Sequence, residues 1–229
     1  MKTFFIDEYN LEPDRDRDSG PDFRPYDGML ADGLVAMGLS LTDQQRSKLL
    51  DYLALLSRWN RTYNLTAIDQ PEEMVARHLF DSLSILPWLT GERVLDSGTG
   101  AGLPGVPLAV ASPGRHFTLV DSNGKKIRFL RQVRRALALD SIEPLQARLE
   151  AVAIESFPET VTARALAPLE RLVRWHARWL DQGARLLAMK GDVAESELDG
   201  VPEAYNVEIV ELEVPGIDSR RCLAIVTAK

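Results

Sequence analysis

The chain holds one cysteine, Cys222, among 229 residues. A lone thiol excludes an intramolecular disulfide and a cysteine-based metal cluster, and it points to a reducing, cytoplasmic setting. No metal site is expected. No apolar run approaches the roughly 20 residues of a membrane-spanning helix. The opening Met1-Lys2-Thr3-Phe4-Phe5-Ile6-Asp7-Glu8 has too short an apolar stretch for a signal peptide. Internal repeats are missing as well. What is left is a soluble globular chain, expected to be monomeric and long enough for one good core with a small appendage. A net charge of −7 argues at first sight against a nucleic-acid partner, but its distribution does not. Residues 1–33 hold nine acids and four bases, and residues 192–229 nine acids and three bases. The block 34–191 is left with 16 acids and 20 bases, net +4, a hint of a phosphate-rich partner.

The most informative stretch is Arg93-Val94-Leu95-Asp96-Ser97-Gly98-Thr99-Gly100-Ala101-Gly102-Leu103-Pro104-Gly105. It reads as a short buried strand, an acid, a glycine turn and a helix start. Such glycines let the backbone take positive φ and approach a ligand, while the helix start offers free N–H groups. A P-loop is excluded because no lysine follows the glycines. Counted from Gly98, a dinucleotide fingerprint fails because Leu103 stands where its third glycine belongs. The spacing Asp96-x-Gly98-x-Gly100-x-Gly102 resembles the first motif of S-adenosylmethionine (SAM)-dependent methyltransferases, whose cofactor has no pyrophosphate. A second acid, Asp121, ends the next strand-like run, where such proteins hold the ribose hydroxyls. The lone cysteine excludes the three-cysteine cluster of radical SAM enzymes. The plain alternative is a glycine turn that only joins a strand to a helix.

Along the chain, residues 1–33 mix alternating charges with turn residues and are expected to form an irregular tail. A helical extension over 34–90 follows. Thr42 and Gln45 have capping-box spacing, Leu49, Leu53, Leu56 and Trp59 recur at helical spacing, and Asn60 to Asn64 reads as a closing loop. Pro71 opens a second helix. From 91 to 229 strands and helices alternate: strands at 93–97, 116–121, 142–146, 160–164 and 184–190, helices after Gly102, at 124–138 and at 168–181. A hairpin, 205–214 with 221–228, closes the chain. The expected fold is α/β, a doubly wound Rossmann-like sheet with an antiparallel C-terminal edge. Ligands of such sheets sit beyond the carboxyl ends of the strands, where Asp96, Asp121, Leu149, Glu150 and Arg164 all fall.

Other constellations have two readings each. Lys125, Lys126, Arg128, Arg131, Arg134 and Arg135 give six bases and no acid in eleven residues, either a solvated face or a phosphate-binding one. Trp59-Asn60-Arg61-Thr62-Tyr63-Asn64-Leu65-Thr66 either stacks on an unpaired base or caps a helix over a small core. Arg77-His78 with Asp81 is either a substrate contact or structural. Arg164 interrupts a buried strand and needs a partner, a core acid or a ligand carboxylate. Lys190-Gly191 ends the next strand and is a cleft candidate. Cys222 is expected to be an inert buried thiol.

Together these residues resemble the GidB family, also called RsmG. The motifs are Trp59-Asn60-x-x-Tyr63-Asn64-Leu65-Thr66, Arg77-His78-x-x-Asp81-Ser82, the Asp96–Gly105 turn and Asp121-Ser122-x-x-Lys125-Lys126. Phe129-Leu130, Arg164-Ala165 and Lys190-Gly191 complete the resemblance, which spans roughly 38–229. It implies a bacterial methyltransferase that transfers the SAM methyl to N7 of a guanine in 16S ribosomal RNA, on free RNA or in the small subunit. By resemblance Gly98, Leu103, Leu149, Glu150 and Arg164 contact SAM, beside Asp96, Gly100, Gly102 and Asp121 of the turn. The RNA candidates are Arg58, Asn60, Arg61, Tyr63 and Asn64, then Arg77 and His78, then Lys125, Lys126, Arg128, Arg131 and Lys190. Two positions depart from the family pattern: Ser97, usually valine or isoleucine, and Cys222, usually histidine. No general base is expected, because guanine N7 has a free lone pair and no proton; consistently, the Asn/Asp-Pro-Pro-Tyr motif used on exocyclic amines is missing. A SAM methyltransferase of another substrate and a non-catalytic SAM-binding module remain the alternatives.

Overall fold

The computed structural model describes residues 20–153, 156–193 and 195–229. The first 19 residues of the expected tail lie outside the described residues. The remainder of that segment corrects the expectation. A 3-10 turn at Arg24–Tyr26 leads into helix α1, Asp27–Ala36. Phe23, Leu30 and Leu34 are buried, so three apolar side chains at usable spacing outweigh the acidic composition around them.

Helix α2, Asp43–Tyr63, starts as its sequence demands. Thr42 Oγ1 accepts the Gln45 N–H at 3.2 Å and Gln45 Oε1 accepts the Thr42 N–H at 2.9 Å. It ends later than expected: Asn60 to Tyr63 form its last turn, and Asn64 closes it with φ 51°. The reason is burial. Trp59 packs on Phe129 at 5.6 Å and Tyr63 stacks on Trp59 at 5.2 Å, so the aromatic pair prolongs the helix over the core.

Next comes one continuous helix in three parts: α3 (Pro71–Met74), a π-helical turn (Val75–Phe80) and α4 (Asp81–Leu83). Then come β1 (Arg93–Ser97), α5 (Gly105–Ala111), β2 (His116–Asp121), α6 (Gly124–Ala136), β3 (Ile142–Gln146), β4 (Thr160–Arg164), α7 (Leu169–Leu180), β5 (Arg185–Lys190), α8 (Glu195–Asp199), β6 (Tyr205–Glu211) and β7 (Cys222–Ala228), with 3-10 turns at Leu86–Trp88 and Leu149–Ala151. Helix α8 was not expected from the sequence.

Seven strands form one sheet in the order β3-β2-β1-β4-β5-β7-β6. β1 to β5 are parallel, while β7 runs antiparallel to both β5 and β6. The strand order reverses between β1 and β4, and ligands of such sheets bind at that switch point. Alternation assigns the faces. Leu95, Val120, Val161 and Ala163 share a core with Leu169, Leu172 and Val173 of α7. Val94, Phe117 and Leu119 face the other way, onto α5, α6 and the N-terminal helices.

Candidate active site

β1 ends at Ser97, and the chain turns sharply through Gly98 (φ 66°), Gly100 (φ 60°) and Gly102 (φ 99°). Gly98 is required by its left-handed φ; a Cβ there would also stand 2.5 Å from Leu166 Cδ1, the end of a half-buried side chain that would have to move. Asp96 stitches the turn from behind. Fully buried, its carboxylate accepts from Thr99 Oγ1, from the Gly105 N–H at 2.9 Å and from Thr162 Oγ1 at 2.9 Å. Burial raises its pKa and these hydrogen bonds oppose the rise.

Asp121 clips the same turn to the end of β2. Its Oδ2 accepts the Gly100 N–H at 3.0 Å and lies 3.3 Å from Lys126 Nζ; its Oδ1 accepts the Asn123 N–H at 2.8 Å.

In front of the turn lies a cavity of about 530 Å³ at the C-terminal ends of β1, β2, β3 and β4. Seven of the nine expected cofactor residues line it: Gly98, Gly100, Leu103, Asp121, Leu149, Glu150 and Arg164. Asp96 and Gly102 do not; their expected place at the ligand is corrected to a place behind the turn, where they shape it. Of the expected RNA residues, His78 and Lys126 line this cavity. Sequence reasoning missed Trp175, which also lines it, as does Thr66, singled out only within the Trp59–Thr66 motif. Trp175 looks in sequence like any aromatic on an amphipathic helix.

His78 is buried, and Thr66 Oγ1 lies 3.2 Å from its Nε2. Burial first, then the nearby Arg164 charge, pull its pKa down to about 4, so the ring is neutral near pH 7. Arg164 does not choose between its two readings. Its Nη1 donates to Asp81 Oδ2 at 2.9 Å and to the Arg77 carbonyl at 2.9 Å, and the same side chain lines the cavity. The π turn makes the second bond available. The Asp81 N–H bonds to Ala76 O, five residues back, instead of Arg77 O, which is left for the guanidinium. Arg221 completes the group by donating from Nε to Asp81 Oδ1 at 3.1 Å.

A second cavity, of about 360 Å³, shares Arg164 and Ala165 with the first. Ala165 itself has φ 48°, uncommon for a residue with a side chain. The second cavity lies over the ends of β4, β5 and β7 and collects Arg77 and Lys190 from the RNA candidates. Lys190 Nζ is held by Ala167 O at 2.9 Å and Glu197 Oε2 at 2.7 Å. Cys222, also on this cavity, is buried, and that burial raises its thiol pKa.

The segment from Trp59 to Thr66 is brought to neither cavity except through its last two residues, Leu65 and Thr66. Of its two readings, a base-stacking loop or a helix cap over a small core, the structure matches the second: Trp59 is 4% exposed, and Asn60 Oδ1 accepts the Thr66 N–H at 2.8 Å. Arg58 Nε is buried and unpartnered among the described residues, while Arg61 and Asn64 are exposed. Helix α6 buries Ile127, Phe129, Leu130 and Val133 and exposes Lys125, Arg128, Arg131, Arg134 and Arg135. Lys125, Arg128, Arg131 and Arg134 have no acidic partner among the described residues.

Ser97, one of the two departures, has a local explanation. The His176 Nδ1 faces Leu172 O at 2.6 Å and therefore donates, leaving Nε2 to accept from Ser97 Oγ at 2.8 Å. A buried hydroxyl and a buried imidazole satisfy each other beneath the turn.

Comparisons with known proteins agree with this architecture. The family model described as "rRNA small subunit methyltransferase G", GidB, matches residues 45–224. Proteins named ribosomal RNA small subunit methyltransferase G from Escherichia coli and from Shigella boydii are each 45% identical over 192 residues, 83% of this chain and 93% of theirs. Among solved structures, a TehB-like SAM-dependent methyltransferase from Corynebacterium glutamicum superposes with a TM-score of 0.52 at 17% identity. It covers 69% of this chain and 94% of that one, a likeness of fold alone. The family match over most of the chain and the 45% identity together make this chain a member of the GidB family.

Proposed function

We propose that the chain transfers the methyl group of S-adenosylmethionine to N7 of a guanine in 16S ribosomal RNA. The observation that carries the reading is the 530 Å³ cavity in front of the Gly98–Gly102 turn, in a chain of this family. The residues present fit the cofactor. Gly98 and Gly100 bring bare backbone to the cavity, Asp121 offers a carboxylate for ribose hydroxyls, Leu149 and Leu103 give apolar contact, and Arg164 offers a cation for a carboxylate. Bound SAM supplies an electrophilic methyl on a positively charged sulfur.

The protein's share is alignment. Guanine N7 brings its own lone pair and has no proton to lose, so no base is needed; the neutral His78 and the arginine-paired Asp81 are consistent with that. The exposed cations of α6, with Arg61 and Arg77, hold RNA phosphates; Lys125, Arg128, Arg131 and Arg134, without an acidic partner among the described residues, support this role most, whereas Arg77 is paired with Glu73 at 3.1 Å. Arg58, its Nε buried and unpartnered among the described residues, is the least exposed of the cations offered to phosphate on α2.

We also place the protein in the cytoplasm as a monomer. Val35 and Ile209 are the exposed large hydrophobics among the described residues, too few for a subunit interface. No helix among the described residues is long and apolar enough to cross a membrane. The division into a helical extension up to residue 90 and a methyltransferase core from residue 91 belongs to the same proposal. The extension buries its apolar stripes on the core and so supports α6 and the cavity rim.

The test is transfer of tritiated methyl from SAM to ribosomal small subunits taken from a strain that lacks this protein. The expected result is about one methyl per 16S RNA, on a guanine. Transfer only to protein or to free metabolites would contradict the reading.

A further inference from the structure

The second cavity has a composition that RNA-backbone binding does not explain. Its walls include Ile68, Met189, Leu212 and Cys222, the last three buried, and among them sits the carboxylate of Asp81. A carboxylate close to a polyanionic substrate is repulsive unless it is neutralised and has donors to receive. The neutralisation is present: Arg164 Nη1 on Oδ2 at 2.9 Å and Arg221 Nε on Oδ1 at 3.1 Å.

Each carboxylate oxygen accepts about two hydrogen bonds. One site on each is taken, so one acceptor site on each remains. That leaves Asp81 as a paired acceptor, fixed in place by two arginines. Among the four RNA bases, guanine alone carries two adjacent donors on its Watson–Crick edge, N1–H and the 2-amino group. Adenine would turn an unprotonated ring nitrogen toward the carboxylate and be repelled. A flat base between aliphatic walls with the Met189 sulfur beside it is a favourable contact, and bases read on this edge are those taken out of the stack.

We propose that the second cavity receives the target base and that Asp81 selects guanine by accepting its N1–H and 2-amino hydrogens. The proposal rests on the guanine methyltransferase reading and adds to it the residue that chooses the base. Holding the Watson–Crick edge leaves N7, on the opposite edge of the purine, without a hydrogen bond and with its lone pair available. Arg164, common to both cavities, fixes the carboxylate on one side and borders the cofactor space on the other. Arg221 is a positioning residue, acting through Asp81.

The experiment compares small subunits reconstituted with 16S RNA carrying guanine or inosine at the methylated position. Inosine keeps N7, O6 and N1–H and lacks the 2-amino group. The wild-type protein is expected to lose roughly 10- to 100-fold in kcat/KM on inosine, because one acceptor site of a buried charge stays empty. Affinity for the inosine particles, measured with S-adenosylhomocysteine present, falls in parallel. In Asp81→Asn the guanine rate drops and the guanine-to-inosine ratio shrinks to within about 3-fold. A variant that lowers both substrates equally and keeps the wild-type ratio would reduce Asp81 to a support for Arg164 and overturn the proposal. Should Asp81→Asn fail to fold, the wild type decides alone: equal rates on guanine and inosine refute the pocket assignment. No transfer to guanine particles at all refutes the enzyme reading instead, so the two failures are distinguishable.

Discussion

The two cavities that meet at Arg164 are built in opposite ways. The first is mainly a backbone object. Its turn is ten residues of local chain, Asp96 to Gly105, stitched by hydrogen bonds that the Gly105 and Gly100 N–H groups donate to the carboxylates of Asp96 and Asp121. The second is a side-chain object. Asp81, Arg164 and Arg221 come from α4, β4 and the segment before β7, and the Asp81–Arg221 pair spans 140 residues of chain. A backbone site is preformed once its strand and helix are in place, whereas an ion-paired site depends on three elements arriving together. The first should therefore be sensitive to backbone changes at one position, and the second to any one of three charges.

The largest expected effect is at Gly98. Gly98→Ala meets both a left-handed φ and the Leu166 side chain, at a cost of about 3 kcal/mol in stability. Cofactor affinity should fall by about 100-fold. Calorimetric titration with SAM alongside thermal unfolding checks both; wild-type-like binding would remove the turn from the cofactor site. Next is Arg221→Ala, which leaves Asp81 with Arg164 as its one cation among the described residues. Methyl transfer should fall by roughly 10- to 50-fold in kcat/KM, with cofactor Kd changed less than about 3-fold. An equal loss in cofactor binding would mean that the cavities are one functional unit.

A third effect concerns the rim that serves both. Changing Arg128, Arg131 and Arg134 together to Gln should weaken RNA binding and reduce the slope of log K against log salt by about 2–3. An unchanged slope would return α6 to a merely solvated face. The smallest effect is on pH. His78, at the first cavity, and His176, beneath the turn, are both depressed to about 4, chiefly by burial. The unfolded chain then binds the extra protons, so their stability contribution is complete above about pH 6.5 and is lost as pH falls from 6.5 toward 4. Each contributes a slope of about 1.4 kcal/mol per pH unit in that window. His176→Gln should flatten the pH dependence of the urea midpoint by about one proton; an unaltered pH dependence would place His176 in water.

The same contrast decides what could be read from the sequence. β1 and β2 match their expected bounds and β3 and β4 fall where strands were expected, because short runs of buried apolar residues between turn signals leave little freedom. Glycine spacing exposed the first cavity, since Gly98 and Gly100 answer a backbone requirement that no other residue meets well. It overreached at Asp96 and Gly102, where the motif is real but the residues serve the turn. The second cavity was only glimpsed, through Arg77, Arg164 and Lys190, because nothing in a linear pattern pairs Asp81 with Arg221. The π turn was invisible for a related reason: one extra residue in a helix hardly alters apolar spacing, yet it frees the Arg77 carbonyl. Helix α1 was hidden by composition, its Leu30 and Leu34 masked by surrounding acids.

On the function proposed, the first cavity serves methylation of guanine N7 in 16S RNA. Methylation at N7 puts a positive charge on the purine and makes the strand cleavable with borohydride and aniline. Small subunits from a strain lacking this protein, incubated with the purified protein and SAM, should gain one new cleavage site at a single guanine of 16S RNA. Gly98→Ala should reduce its intensity. Methyl incorporation without such a cleavage, or none at all into 16S RNA, would contradict the account.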